Sequence, residues 1–98
     1  MTGLKWFSGG TDRRKEALTI LEDFIQIMGD KPNLISLEMV LISYMKELED
    51  PSESVPYILS RMNIEISRVV IERQLHLSDE QSNQIAKLRK LSNIRYGY

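Results

Sequence analysis

The chain has 98 residues, 42% of them hydrophobic and 28% charged, with a formal net charge of −1 and no cysteine. A chain of this length is expected to form one domain spanning 1–98, large enough for a core without covalent staples. The missing cysteine excludes a disulfide framework and a thiolate metal site, and the near-neutral charge leaves only regional electrostatic preferences.

No stretch approaches the ~20 apolar residues needed to span a bilayer. The N-terminus lacks the apolar run of a secretory signal, and Gly9-Gly10 reads as a hinge before the first helix. A cytoplasmic protein is expected. The spacing predicts a first helix over about 12–28, capped by Thr11 or Asp12 and stopped by Gly29. Ala17, Leu21, Phe24 and Met28 form its apolar face, flanked by Leu18 and Ile25. Asp30-Lys31-Pro32-Asn33 is a turn, with Asn33 the expected cap of a second helix over about 34–49. Leu34, Leu37, Leu41, Tyr44, Met45 and Leu48 share one side of that helix. Asp50-Pro51-Ser52 ends it.

A third helix is predicted over about 54–74, opening at Ser52 or Ser54 with Pro56 in its first turn. Val55, Ile58, Leu59, Met62, Ile66 and Val69 face one way, and Tyr57, Ile64 and Ile71 face nearly opposite. Arg61, Glu65, Arg68 and Glu72 alternate in sign at spacings of four and three, which predicts an ion-pair ladder along the helix surface. The second helix carries a similar extra stripe in Ile35, Met39 and Ile42. Such a stripe is covered by a neighbouring element, or by the N-terminal arm with Trp6 and Phe7, or else marks a partner surface.

Ser78 and Gln81 form a capping-box pattern for a fourth helix over about 79–92. Its apolar side is Ile85, Leu88 and Leu91 beside Ser92, while Lys87, Arg89 and Lys90 occupy much of the other. No acidic residue follows Glu80, and the chain closes with a tail over 93–98 containing Arg95, Tyr96, Gly97 and Tyr98. Cations near a helix C-terminus complement its dipole, which accounts for the charges but not for the tyrosines. Tyrosine and arginine are enriched at interface hot spots, so Lys87, Arg89, Lys90, Arg95, Tyr96 and Tyr98 are the candidate partner-binding residues. A flexible tail of this kind can also fold back on its own bundle.

No window shows the alternation of a half-buried strand. The expected fold is all-α, an antiparallel up-down-up-down four-helix bundle with a flexible C-terminal tail. Catalytic chemistry is poorly provided for. His76 is the single histidine, and no nucleophile-base-orienter constellation surrounds it. Glu72 and His76 sit four apart and are expected to meet as a surface pair rather than as metal ligands, since the chain has no Glu-x-x-His motif. Phosphate-cradling loops are absent. The residues therefore predict a non-enzymatic binding module without cofactor or metal, and a monomer. A small helical nucleic-acid-binding regulator is the alternative. Asp79 and Glu80 at the start of the fourth helix, and a pI of 5.8, count against it.

Three blocks carry a family resemblance: Lys5-Trp6-Phe7-Ser8-Gly9-Gly10, Leu59-Ser60-Arg61-Met62-Asn63-Ile64-Glu65-Ile66-Ser67, and Leu91 through Tyr98. In these the chain resembles the immunity proteins of class IIa (pediocin-like) bacteriocin producers, within the enterocin A immunity family. The resemblance extends over almost the whole length and implies the same bundle. It also implies action inside the producing cell against its own bacteriocin. The implied partner is the membrane part of the mannose phosphotransferase system carrying bound bacteriocin, engaged from the cytosolic side, with specificity concentrated in the C-terminal half. Tyr96-Gly97-Tyr98 is not the Tyr-Gly-Asn-Gly start of the bacteriocins themselves, which also carry a cysteine pair.

Overall fold

The computed structural model describes residues 9–29 and 31–92, with side chains from Arg13 onward. Four helices are formed, α1 (Gly9–Met28), α2 (Ile35–Glu49), α3 (Val55–Glu72) and α4 (Asp79–Ser92), with a short 3₁₀ turn over Pro32–Leu34. No strand occurs among the described residues. Helix α1 packs against α2 and α4, and α3 packs against the same two, with little direct contact between α1 and α3. Each helix therefore lies beside its chain neighbours, as short connections require. The result is an up-down-up-down bundle.

The apolar faces meet at the centre. Ala17, Leu21, Phe24 and Met28 of α1, Leu37, Leu41, Tyr44 and Leu48 of α2, Val55, Ile58, Leu59, Met62 and Ile66 of α3, and Leu88 and Leu91 of α4 are buried. Leu34 joins them from the 3₁₀ turn, while Leu18, Ile25, Met45, Val69 and Ile85 pack partly buried around the edge. Full burial of a side chain of this size stabilises by about 1.5–3 kcal/mol, so this face is the main driving force for folding. Gln81 and Gln84 are buried as well, which the apolar pattern does not predict.

The ends of the helices depart from expectation in four places. Helix α1 begins at Gly9, so its backbone runs through the glycine pair expected to be a hinge and past the expected caps Thr11 and Asp12. Glycine is a weak helix former, yet it clashes with nothing in a helical backbone. Asn33 does not cap α2. Pro32 instead opens the 3₁₀ turn, the Leu34 N–H bonds the Lys31 carbonyl at 3.0 Å, and α2 starts at Ile35 with no side-chain cap. Proline fixes φ for a tight turn, so backbone groups take the role expected of the asparagine side chain. Ser54 occupies the cap position of α3 with Pro56 following in the first turn, but its hydroxyl makes no cap bond.

Helix α3 stops at Glu72, two residues earlier than expected, in a Schellman arrangement. The Leu75 N–H bonds the Val70 carbonyl at 3.0 Å and the Gln74 N–H bonds the Ile71 carbonyl at 3.2 Å, with Gln74 at φ 51°. Left-handed backbone at a non-glycine residue is unfavourable by about 1–2 kcal/mol. Val70 and Leu75, the two residues at the ends of the long bond, are both packed against the core. Because the chain leaves the helix here, Glu72 and His76 no longer share a face, and the expected surface pair is not formed. Gly29 ends α1 at φ 63° with open space around it, so conformation rather than crowding calls for glycine there.

The ladder expected along α3 is also corrected. Among the described residues no ion pair links Arg61, Glu65, Arg68 and Glu72; Arg61 and Glu65 turn to α2 instead. Arg61 donates to Glu47 at 2.8 Å, and the Tyr44 hydroxyl donates to Glu65 Oε1 at 2.5 Å. The Arg61 guanidinium lies 5.5 and 5.3 Å from the ring centres of Tyr44 and Tyr57. A buried phenol needs an acceptor, and Glu65 is the one brought opposite it.

A second tie was not legible from periodicity. The Arg14 guanidinium, on α1, donates to the carbonyl of Leu48 and to those of Asp50 at 2.9 Å and Glu53 at 3.2 Å. It thus gives the Leu48 carbonyl at the end of α2 a donor and ties down the turn into α3. That turn has its own lock. The Ser52 N–H and hydroxyl donate to Asp50 Oδ1 at 3.0 and 2.8 Å, which holds the Asp50 carboxyl below its ordinary pKa.

Candidate partner-binding surface

Helix α4 is set in place from both ends. At its start the capping box is formed, with the Ser78 N–H donating to Gln81 Oε1 at 2.8 Å and the Gln81 N–H to Ser78 Oγ at 3.1 Å. This reciprocal bonding accounts for the burial of Gln81. At its end Asn63 of α3 donates to the Leu88 carbonyl at 3.3 Å and to Ser92 Oγ at 2.9 Å. Ser92 in turn donates to the Arg89 carbonyl at 3.0 Å. Leu88 and Leu91 anchor the inner side.

With that side buried, Lys87, Arg89 and Lys90 are exposed. Arg89 reaches toward α3 and donates to Ser67 Oγ at 3.1 Å, which aims its charge along the α3–α4 seam. A shallow open depression beside the helix is lined by Ile27, Val70, Leu77, Ile85, Lys87 and Arg89, among others. It offers mixed apolar and cationic contact. The remaining expected partner-binding residues, Arg95, Tyr96 and Tyr98, lie outside the described residues.

Among the described residues six large apolar side chains stand exposed, and they belong to α2 and α3: Ile35, Met39 and Ile42 on one, Tyr57, Ile64 and Ile71 on the other. Periodicity set them off the core faces, but whether a neighbour covered them was decided only by packing. Among the described residues no group of three His, Cys, Asp or Glu side chains could hold a metal ion, and His76 is exposed on the segment between α3 and α4. No described helix is long and apolar enough to cross a membrane. The arrangement offers surfaces for association. Among the described residues no nucleophile, base and acid are assembled around a common point.

Comparison with known proteins gives these surfaces a context. The model of the bacteriocin immunity protein family matches residues 12–93. An uncharacterised 9.1 kDa protein from the region 3′ of the BM1 immunity protein in Carnobacterium maltaromaticum is 44% identical over 63 residues, covering 64% of this chain and 78% of that protein. Among solved structures, the crystal structure of an immunity protein that contributes to the self-protection of bacteriocin-producing Enterococcus mundtii 15-1A is 38% identical, with a TM-score of 0.77 over 82% of this chain and 96% of that one. The solution structure of PisI is 45% identical and aligns over the full length of both chains with a TM-score of 0.76. A match running from α1 to the end of α4, together with likeness in sequence and in backbone, leaves one conclusion: the chain belongs to the bacteriocin immunity protein family.

Proposed function

We propose that this protein protects a producing cell from its own pediocin-like bacteriocin by binding, from the cytosolic side, the mannose phosphotransferase membrane receptor loaded with that bacteriocin, so that the pore is blocked. The observation that carries the reading is the family match over 12–93 on a bundle whose polar surfaces suit association rather than turnover. Protection then comes from occupancy of the loaded receptor, with the protein recruited to the inner face of the membrane when the target is present.

Lys87, Arg89 and Lys90 supply the cationic part of the contact surface in this proposal, and Arg95, Tyr96 and Tyr98 extend it. Arginine brings a planar fork of donors, and tyrosine brings rigid contact area at little conformational cost. The rigid attachment of α4 through Leu88, Leu91 and the Asn63 bonds supports the idea, because a pre-ordered surface loses less entropy on binding.

The test is expression in a bacteriocin-sensitive strain challenged with a panel of pediocin-like peptides. Protection against one or a few of them is expected, together with co-purification of the receptor only when the peptide has been added. Full sensitivity to every peptide at normal expression would overturn the immunity reading. Protection without receptor association would overturn the mechanism.

A further inference from the structure

We propose that the outer ridge of α3, formed by Tyr57, Ile64 and Ile71, is a docking surface for an anionic lipid bilayer, with Arg68 and Arg89 flanking it. The three crest residues are 59%, 59% and 73% exposed. They recur every seven residues, so they lie in a nearly straight line of about 21 Å along the helix. Neither neighbouring helix covers them. One flank of α3 is joined to α2 through Arg61 and Glu47, and the other to α4 through Asn63, Ser67 and Arg89. The crest is therefore the outward corner of the bundle.

Its shape and charge select the occupant. A convex apolar line with cations beside it is the form of an interfacial helix, whose crest enters the boundary between headgroups and acyl chains while arginines reach phosphates. Beside Ile64 and Ile71 stand Arg68 on α3 and Arg73 just past its end, with Arg89 held at Ser67 and Lys90 next to it in the chain on α4. Of the carboxylates along the seam, Glu47 is paired with Arg61, while Glu65 accepts from the neutral Tyr44 hydroxyl and keeps its charge. Glu65 and Glu72 oppose the attraction, but Arg68, Arg73, Arg89 and Lys90 outnumber them in a chain whose net charge is −1. The exposed stripe on α2 lies among Glu38, Lys46 and Glu49 and has no such excess, so charge complementarity singles out α3.

Partitioning of the full chain onto unilamellar vesicles tests this, using phosphatidylglycerol mixed with phosphatidylcholine against phosphatidylcholine alone. The vesicles contain no receptor, so the outcome is independent of the protection assay. Binding to the anionic vesicles only is expected, weakening as salt rises above ~0.15 M. Ile64→Ser/Ile71→Ser should lower it at least ~tenfold through lost crest burial. Arg68→Gln/Arg89→Gln should lower it about thirtyfold, at about fivefold per basic residue near the surface. Arg89 bonds Ser67 across the α3–α4 seam, so circular dichroism and an unfolding midpoint must match wild type for each variant. Three results would overturn the proposal. One is no preference for anionic vesicles. Another is binding indifferent to both variants, which places the lipid contact elsewhere in the chain. The third is concentration-dependent self-association abolished by Ile64→Ser/Ile71→Ser, which makes the crest a contact between copies of this chain.

Discussion

The hydrogen bond between Tyr44 and Glu65 gives a quantity that can be checked. Tyr44 is 4% exposed, and its hydroxyl lies 2.5 Å from a carboxylate oxygen. Burial first, then the bond to Glu65, push the phenol from its ordinary 10.0 up to about 12. The folded state thus prefers the protonated phenol more strongly than the unfolded state does. That preference is fully present below pH 10 and is lost as pH rises through about 12. A shift of this size corresponds to at most ~2.7 kcal/mol between the ends of the window, at 1.36 kcal/mol per pH unit. The bond itself, being charge-assisted, is worth about 1.5–3 kcal/mol, but Tyr44→Phe also removes a hydroxyl that is costly to desolvate. A net loss of about 1–2 kcal/mol at pH 7 is expected for that variant. Urea unfolding of wild type, Tyr44→Phe, Glu65→Gln and the double variant, repeated between pH 7 and 11.5, measures both effects. Wild type should lose its advantage over Tyr44→Phe as the pH climbs through the window. A coupling energy below ~0.3 kcal/mol between the two positions, with parallel pH profiles, would refute the reasoning.

Replacing Arg14 with Met keeps the aliphatic stem and removes the donors to Leu48, Asp50 and Glu53, and is expected to cost about 1–3 kcal/mol in urea unfolding. Hydrogen exchange should rise first around the end of α2 and the following turn; uniform exchange would argue against a local clamp. Phe24→Ala, Leu41→Ala and Met62→Ala each open a cavity at a fully buried site and should cost about 2–5 kcal/mol by denaturant midpoint. Gln74→Gly relieves left-handed strain, and a gain of up to ~1 kcal/mol in thermal unfolding is expected, offset in part by the freedom glycine adds to the unfolded chain. Removing 95–98 should reduce protection strongly while leaving the unfolding midpoint nearly unchanged; a stable truncation that protects fully would exclude the tail from the partner surface.

Much of this molecule follows from local pattern. Leu21, Leu41, Met62 and Leu88 each belong to an apolar run that repeats at helical spacing within its own helix, and burial of one face is the dominant energy, so the periodicity identifies both the helices and their inner sides. Ser78 and Gln81 cap α4 as their spacing demands because both partners lie within one turn. Interactions between helices obey no such local rule. Arg61 and Glu65 stand at ladder spacing, yet the buried Tyr44 hydroxyl and the carboxylate of Glu47 on α2 offered each a better partner than its neighbour along α3. Arg14 reads as one more charge in a basic run until the end of α2 comes to rest against it. The exposed face of α4 was likewise legible in the placement of Lys87, Arg89 and Lys90, whereas the seating of Arg89 on Ser67 depends on how two helices cross. Sequence determined which side of each helix turns inward, because a single helix suffices to define it. Tertiary structure alone decided which polar groups meet and which apolar ridges stay bare, because those depend on what the other helices bring alongside.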